Sequence, residues 1–270
     1  MSSSLQDGSI VCVGIGMTLG SHISPLARSH IEQADSVFCS VSDAVVELWI
    51  KEMNPNFIDL QQFYQDGKDR RQTYKQMVEA MMTEVRHGKH VVGVFYGHPG
   101  VFAKAPHDVI EQARKEGYVG HMEPGISAED CLYADLGIDP GKYGCQHFET
   151  SQFMLYYRQI DTAGYVVLWQ IGLAGDIHAS QYTTSHLHRQ LLVEQLLEHY
   201  PADHQVAIYE APTLPIHEPR IEWFPLAELA QVQTHQHSTL LLPPAATLKP
   251  NIAMRKRIAE LQRQIEQIDD

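Results

Sequence analysis

Short apolar runs that end at glycine, proline or small polar residues recur along the chain and predict buried strands. The predicted strands are 10–13, 37–39, 90–95, 119–122, 165–171, 206–209 and 238–242. The segments between these runs carry apolar residues at helical spacing. Because strands and helices alternate, the pattern predicts an α/β fold.

The longest helical pattern runs from 71 to 87, where one apolar face repeats every three or four residues. Its members are Tyr74, Met77, Val78, Met81, Met82 and Val85. Shorter helices are predicted at 45–53 and 191–197. These faces have the width that packing against a sheet requires.

Two further helices are predicted from their capping residues. Ser24 precedes Pro25, which combines a capping hydroxyl with proline at the first helical position. Ser127 is followed by Asp130, the spacing of a reciprocal cap at a helix start.

The chain changes character after Pro250. Ile258, Leu261, Ile265 and Ile268 follow a roughly heptad spacing among charged residues, which predicts a single amphipathic helix. Its apolar stripe can pack against a partner subunit or dock on its own domain, and the pattern leaves both open.

A change in composition between 139 and 151 divides the α/β pattern into two parts. We assign residues 1–140 to an amino-terminal α/β domain on the substrate and cofactor side, 141–249 to a carboxyl-terminal α/β domain and 250–270 to the tail helix. A cleft between two domains is a favoured place for a small-molecule site.

Charge and cysteine content narrow the function classes. The formal net charge of −13 over 270 residues disfavours a nucleic-acid partner, which needs a basic face. The cysteines are dispersed, without a Cys-x-x-Cys pair, which suits a reducing compartment. No apolar run reaches membrane-spanning length, and residues 1–8 are polar rather than signal-like. We therefore expect a soluble, cytoplasmic protein that binds neither nucleic acid nor membranes.

Histidine is abundant, with 16 residues, but its spacing does not favour a metal site. The closest sets, His186-x-His188 and His235-x-His237, lack both the helical spacing and the nearby cysteines of common zinc motifs. We expect solvent-exposed histidines and no metal. Covalent catalysis has no support either, because the sequence has no Gly-x-Ser-x-Gly turn.

The turn Gly97-His98-Pro99-Gly100 follows the predicted strand 90–95. Glycine and proline break the backbone there, and the carboxyl end of a sheet strand is where α/β proteins open a ligand crevice. Alone, such a turn is more typical of a plain connection between a strand and a helix. A ligand-binding role is favoured here because related turns follow other predicted strands.

Five turns occur in a fixed order over nearly the whole chain. They are Gly14-x-Gly16, the segment from Tyr96 to Phe102, the segment from Glu123 to Ala128, the segment from Tyr209 to Pro212, and Ser238-Thr239-Leu240. In this order they resemble the S-adenosylmethionine-dependent tetrapyrrole methylase superfamily. The resemblance implies two α/β domains, a homodimer, and S-adenosylmethionine bound in the cleft between the domains, with S-adenosylhomocysteine as product.

Within that superfamily, the sequence is most similar to the borosin peptide N-methyltransferases, which methylate backbone amides of a ribosomally made peptide. The similarity rests on Tyr64, Arg70, Tyr74 and the turn from Tyr96 to Phe102. The first loop departs from the Gly-x-Gly-Pro-Gly-Asp of most tetrapyrrole methylases, because Gly16 is followed by Met-Thr-Leu. This departure speaks against a porphyrin-type substrate.

The resemblance also bears on how the substrate is supplied. Fused borosin enzymes continue into a long carboxyl-terminal region with their own core peptide, whereas this sequence reaches Asp270 without such a segment. The resemblance therefore implies the split arrangement, in which a homodimer binds two separate precursor peptides and methylates them iteratively.

The resemblance implies that Tyr64, Arg70, Tyr74 and Tyr96 are catalytic. Arg70 would stabilise the negative charge that develops on the amide oxygen, an effect of about 3–4 kcal/mol for one good donor. Arg71 is the rival for this role. Tyr64 and Tyr74 would take the amide proton or hold the peptide plane, and Tyr96 would lie near the transferred methyl group. Which tyrosine is the base stays open.

The resemblance also carries a set of cofactor-binding positions onto this chain, many of them acting through the backbone. They are Tyr96, His98, Val101, Phe102, Ser127, Ala128, Gln170, Tyr209, Ala211, Ser238 and Thr239. The main alternative is a tetrapyrrole C-methyltransferase of the precorrin or uroporphyrinogen type. Ribose methylation of ribosomal RNA fits the superfamily but not the acidic charge. A cofactor-binding protein without turnover is the non-enzymatic alternative.

Overall fold

The structure is a computed structural model that describes residues 7–41, 43–65, 67–178, 181 and 183–269. Residues 1–6, part of the polar amino-terminal segment considered above, lie outside the described residues. The strands are β1 Ser9–Gly14, β2 Ser36–Ser40, β3 Phe57–Asp59, β4 His90–Phe95, β5 Val119–Glu123, β6 Cys145–Glu149, β7 Tyr165–Trp169, β8 Gln205–Glu210, β9 Arg220–Pro225 and β10 Thr239–Leu242.

Helices connect most of these strands. The α-helices are α1 Pro25–Gln33, α2 Ala44–Met53, α3 Arg70–Arg86, α4 Ala105–Lys115, α5 Ala128–Leu136, α6 Pro140–Tyr143, α7 Thr150–Leu155, α8 His186–Leu196 and α9 Ile252–Asp269. Short 3-10 helices cover Leu60–Phe63, Ile171–Leu173 and Leu226–Gln231. Among the described residues, no helix combines the length and apolar character that crossing a membrane requires.

The first sheet has the order β3-β2-β4-β1-β5, and its strand pairs are parallel. Parallel strands end at the same edge of a sheet. The loops that follow the neighbouring strands β4, β1 and β5 therefore lie side by side, and these loops carry the first three of the five turns.

The second sheet is mixed, with the order β6-β7-β10-β8-β9. Strand β10 runs antiparallel to both of its neighbours, β7 and β8. The start of β10 therefore lies beside the ends of β7 and β8. This register brings the residue after β7, the turn after β8 and the turn before β10 to one edge.

Apolar clusters cover both faces of each sheet. Buried residues of α3 and α4 pack on one face of the first sheet, and those of α1 and α2 pack on the other. Helix α5 follows the last strand of the first sheet but packs on the second sheet, where Cys131 and Leu132 join Ala207, Tyr209 and Leu241. This crossing joins the two halves of the chain.

Every predicted strand is present, but one extends less far than expected. The expected strand 165–171 ends at Trp169, because Gln170 adopts a left-handed conformation and a 3-10 helix follows. Both capping predictions are confirmed. The Ser24 hydroxyl accepts the Ala27 amide at 3.0 Å, and Ser127 forms a reciprocal cap with Asp130.

The tail is helical as predicted, but it does not dock on its own domain. The apolar stripe stays open, with Ile258, Leu261, Ile265 and Ile268 between 48% and 81% exposed. An exposed stripe of this length on a helix fits contact with another chain.

Candidate active site

Three glycine loops of the first sheet meet at van der Waals distance. The Gly97 carbonyl oxygen lies 2.3 Å from the position a Cβ would take at Gly14 and 2.2 Å from that at Gly125. Gly16 and Gly97 also exchange backbone hydrogen bonds of 2.8 and 3.2 Å. No side chain fits between these backbones, so the glycines let the loops after β1, β4 and β5 form one continuous surface.

The turns of the second sheet are joined by hydrogen bonds of their own. The Ile171 amide, which follows Gln170, donates to the Ser238 carbonyl at 2.9 Å. The Ser238 hydroxyl donates to the Glu210 carboxylate and accepts the His235 amide at 2.6 Å. Ser238 is fully buried and Thr239 is 2% exposed. The turns after β7 and β8 and before β10 therefore form a second connected group.

Contacts between the two sheets bring both groups of turns together. The Thr18 hydroxyl donates to the Pro212 carbonyl at 3.1 Å. The Leu19 amide donates to the Thr213 carbonyl at 2.9 Å. On the other side, the Phe102 ring lies 5.5 Å from the Trp169 ring. The structure thus unites all five turns of the sequence pattern in one site.

Two residues of this site have unusual backbone conformations. Phe102 has φ +50° and Gln170 has φ +59°, and they are the described non-glycine residues with positive φ. Such conformations cost about 1–3 kcal/mol each and cluster at functional sites. Next to them, Tyr96, Phe102 and Ile126 remain 54%, 46% and 40% exposed. An open apolar surface beside bare glycine backbone can receive a ligand with an aromatic ring.

The side chains of Ser127 and Tyr209, like that of Ser238, are already engaged within the fold. The Ser127 hydroxyl donates to Asp130 at 2.8 Å within the helix cap. Tyr209 is fully buried, and its hydroxyl donates to Asp135 at 2.7 Å. These residues can therefore contribute to a ligand site only through their backbone. Ala128 and Ala211 are half-buried in the adjoining cluster.

The turn after β4 is ordered by its own histidine. The His98 Nδ1 atom accepts the Gly100 amide at 2.8 Å, and the His98 carbonyl accepts the Val101 amide at 3.1 Å. These bonds fix the loop between Tyr96 and Phe102.

The four predicted catalytic side chains form one cluster. The Tyr64 hydroxyl lies beside Tyr74, and Arg70 and Tyr96 are close enough to act on its charge. Burial raises the pKa of Tyr64, the neighbouring Tyr74 raises it further, and Arg70 opposes the rise. Although Tyr96 is 54% exposed, desolvation raises its pKa too, with a contribution from Tyr74. Tyr64 and Tyr96 therefore keep their protons at neutral pH.

Arg70 and Arg71 begin helix α3 and face different surroundings. The Arg70 Nη2 atom donates to the backbone carbonyl of Gln181 at 2.5 Å, so its guanidinium bridges to the second half of the chain. Arg71 pairs with Asp69 at 3.0 Å, and its side chain is 69% exposed. Of the two rivals, Arg70 is the one beside the tyrosines.

A polar chain behind Trp169 was not predicted from the sequence. Trp169 Nε1 donates to His147 Nδ1 at 3.1 Å, which leaves the proton of neutral His147 on Nε2. That proton points to the Tyr133 oxygen at 2.8 Å, and the Tyr133 hydroxyl donates to Glu129 at 3.0 Å. Trp169 lies in an apolar strand, so nothing in the pattern separates it from ordinary core residues.

Replacing His147 with phenylalanine is expected to lower stability and remove part of its pH dependence. Phenylalanine keeps the stacking on Trp169 but leaves the indole N–H without its acceptor, a loss of about 1–3 kcal/mol. Urea unfolding followed by tryptophan fluorescence measures the loss of stability. A variant in which the exposed Trp223 is replaced serves as the control.

The pH dependence follows from the direction of the His147 shift. Burial lowers the pKa of His147 below its ordinary 6.5. The unfolded chain therefore binds the proton first as pH falls, so the contribution of His147 is complete above about 6.5 and is lost below it. The phenylalanine variant should lose stability less steeply on acidification. An unchanged slope would contradict this assignment.

His235 and His237 are exposed, as expected, but they also contact a partly buried carboxylate. His235 Nδ1 lies 3.0 Å and His237 Nε2 3.6 Å from Glu210, and the two rings are stacked. Arg220 reaches the same carboxylate at 2.9 Å. The cluster lies directly behind the Ser238 turn and fixes it.

The comparisons with known proteins identify the family. A match to the family of tetrapyrrole (corrin/porphyrin) methylases covers residues 9–230. This chain therefore belongs to the tetrapyrrole methylase family. Its fold, with two sheets in a mixed α/β arrangement, is the one the sequence pattern predicted.

Curated relatives have more specific names. The methyltransferase/ribosomally synthesized cyclic peptide gymnopeptides precursor of Gymnopus fusipes is 39% identical over 95% of this chain and 62% of that protein. A methyltransferase/ribosomally synthesized type I borosin cyclic peptide precursor of Coprinopsis marcescibilis is 42% identical over 88% of this chain and 63% of that protein. The chain thus spans about three fifths of these relatives.

Solved structures share the fold at low identity. The crystal structure of uroporphyrin-III-C-methyltransferase from Thermus thermophilus matches with a TM-score of 0.63 and 17% identity, covering 88% of this chain and 93% of that one. A cobalt precorrin-4 methyltransferase matches with a TM-score of 0.63 and 15% identity, covering 87% and 94%.

Proposed function

We propose that this chain is an S-adenosylmethionine-dependent methyltransferase that iteratively N-methylates backbone amides of a separate, ribosomally made precursor peptide. Two independent lines support the proposal. The relatives are named as methyltransferases that are also precursors of ribosomally synthesized peptides. The site holds an arginine and three tyrosines beside the five turns.

The residues that would hold S-adenosylmethionine are those of the five turns. The glycine loops and the open surfaces of Tyr96 and Phe102 would receive it on one side, and the Gln170 and Ser238 turns on the other. When bound, this cofactor supplies a methyl group on a positively charged sulfur, ready for transfer to a nucleophile. The protein's task is then to hold a peptide nitrogen in line with that methyl group.

An amide nitrogen is a poor nucleophile because its lone pair is delocalised into the carbonyl. Negative charge must move onto the carbonyl oxygen as the N–H proton leaves, and a guanidinium beside that oxygen stabilises it. The observation that carries the proposal is that Arg70 already holds a peptide carbonyl, the oxygen of Gln181, at 2.5 Å. A substrate carbonyl would take the place of this oxygen.

The three tyrosines would have different roles in the reaction. Tyr64 keeps its proton and lies beside Tyr74, so its hydroxyl would donate to a Tyr74 phenolate that accepts the amide proton. Tyr96 keeps its proton as well and would donate to the peptide or hold its plane. Tyr74 would first release its phenolic proton to solvent. The amide nitrogen would then take the methyl group that the cofactor supplies, and the amide proton would pass to the Tyr74 phenolate.

Changing Tyr74 to phenylalanine is expected to slow methyl transfer by about 10²–10⁴-fold, the usual contribution of a positioned base. Tyr64→Phe should cost only about tenfold, because it removes one supporting hydrogen bond of roughly 1 kcal/mol. Single-turnover rates at saturating cofactor measure both effects. A Tyr64→Phe loss as large as the Tyr74→Phe loss would reverse the two roles.

We further propose that the chain forms a homodimer in the cytoplasm and binds two precursors. The exposed stripe on α9 supplies an apolar surface for a second copy. Ile265→Lys should therefore shift the protein toward monomer in light scattering after gel filtration. Gln267→Lys, on the opposite face of the same helix, should leave the assembly unchanged. A dimer that survives Ile265→Lys would place the interface elsewhere.

Co-expression with a small protein encoded next to this chain tests the proposed reaction. A ladder of methyl-sized mass increments on that protein, absent without the methyltransferase, is the expected result. An unmodified peptide together with turnover of a porphyrinogen would favour the tetrapyrrole alternative. Tight cofactor binding without turnover of either substrate would favour a binding protein.

A further inference from the structure

Three side chains from α1 and β5 converge beside the candidate active site, at the point where the turn from Glu123 to Ala128 begins. His30, His121 and Glu123 each offer one ligand atom, and these atoms lie within 4.8 Å of one another. The closest pair is His121 Nε2 and Glu123 Oε1 at 3.2 Å. All three residues are half-buried.

The fold explains this convergence. His121 and Glu123 are two residues apart on β5, so they point to the same face of the sheet. Helix α1 covers that face with its buried Ile31, and His30 is the neighbouring residue. A fourth candidate is close, because the His90 ring lies 6.1 Å from the His30 ring, against 5.7 Å for His121.

The donor types of this cluster favour metal ligation. Neutral imidazole is the form that binds metals. The Glu210 cluster differs, because its carboxylate already receives Arg220 and Ser238. A cation at Glu210 would have to compete with that arginine.

We propose that His30, His121 and Glu123 form a zinc site, with His90 or a water molecule as the fourth ligand. Two imidazoles and a carboxylate are a typical donor set for zinc, and oxygen-seeking ions such as Mg²⁺ bind such a set poorly. A tetrahedral zinc with bonds of about 2.0–2.1 Å separates its ligand atoms by about 3.3 Å. The observed 3.2 Å between His121 and Glu123 matches this spacing.

The site has a structural consequence. It would tie α1 to the end of β5, and the loop that begins there contains Gly125 of the glycine surface. Zinc should therefore raise the midpoint of thermal unfolding, by about 5 °C at a hundredfold excess over Kd. This inference does not depend on the proposed methyl transfer, and its tests do not use enzyme activity.

The experiment uses the metal-stripped full chain after removal of any histidine tag. Zinc affinity is measured by competition with a chromophoric chelator, and Co²⁺ is added as a spectroscopic probe of tetrahedral geometry. We expect saturable zinc binding, a tetrahedral Co²⁺ spectrum and the rise in thermal midpoint. His121→Ala should weaken zinc binding by more than about tenfold. Removing a residue that only hydrogen-bonds to a metal ligand already costs about that much, and His121 is a proposed ligand.

Two further variants keep the test decisive. Glu123→Gln preserves size and polarity, so it should fold like the natural chain yet lose most of the zinc affinity. His237→Ala removes a histidine from the Glu210 cluster and should leave zinc binding intact. Absence of saturable binding, or affinity that survives both His121→Ala and Glu123→Gln, would overturn the proposal. If zinc affinity is lost in His237→Ala but kept in the other two variants, the zinc site is at Glu210.

Discussion

Replacing Arg70 with alanine is expected to reduce methyl transfer by about 10²–10³-fold while leaving cofactor binding near normal. The loss follows because the guanidinium is the positive group beside the tyrosine cluster and already binds a peptide carbonyl. The rate is measured by intact-mass analysis of the peptide product. Calorimetry with S-adenosylhomocysteine reports the affinity.

Arg71→Ala is the matched control for this prediction. Arg71 is the adjacent residue in the same helix turn, but its guanidinium pairs with Asp69 and is largely exposed. An exposed pair of this kind contributes little to stability because solvent screens it, so neither activity nor folding should change much. Equal activity losses in the two variants would show that the charge of the helix start matters rather than the position of Arg70. Retained turnover in Arg70→Ala would remove the assigned role.

Gly125→Ala is expected to weaken cofactor binding by roughly 10- to 100-fold, as overpacking of about 1–3 kcal/mol does at a fitted surface. The new Cβ would lie 2.2 Å from the Gly97 oxygen and 2.8 Å from the Gly14 Cα, so both other loops must move. Calorimetry with S-adenosylhomocysteine measures the change in affinity.

Gly137→Ala separates this local effect from a general loss of stability. Gly137 caps α5 with φ +64° and has nothing within 4 Å of a Cβ. Its replacement therefore strains the backbone by about 1 kcal/mol without disturbing the loops. The thermal midpoint should fall while cofactor affinity is unchanged. Normal affinity in Gly125→Ala would mean that the glycine surface is not where the cofactor binds.

The sequence predicted the parts of the fold that depend on burial. Strands such as His90–Phe95 are continuous apolar runs because both faces of the sheet are covered. Strands β6 and β9 were missed because polar residues interrupt their apolar ones, and most of β9 is exposed or half-buried. The three-residue β3 is too short for any periodicity to register. The packing of α5 on the second sheet is determined by tertiary contacts, and no local sequence pattern indicates it.

The candidate site was predictable at the level of motifs rather than contacts. The five turns and the Tyr64, Arg70 and Tyr74 set are visible in the sequence and meet in the structure. The engagement of Tyr209 by Asp135 and the support of Trp169 by His147 were not predictable, because each joins residues far apart in the chain. The His30 cluster was missed for the same reason, since its members lie on two separate elements.

The most direct test of the account is the position of the new methyl groups in the product peptide. Fragmentation of the modified peptide by tandem mass spectrometry assigns each methyl group to a backbone nitrogen or to a side chain. The account predicts backbone N-methylation that requires Arg70 and not Arg71. Methyl groups on side chains, or on a tetrapyrrole with the peptide unmodified, would contradict it.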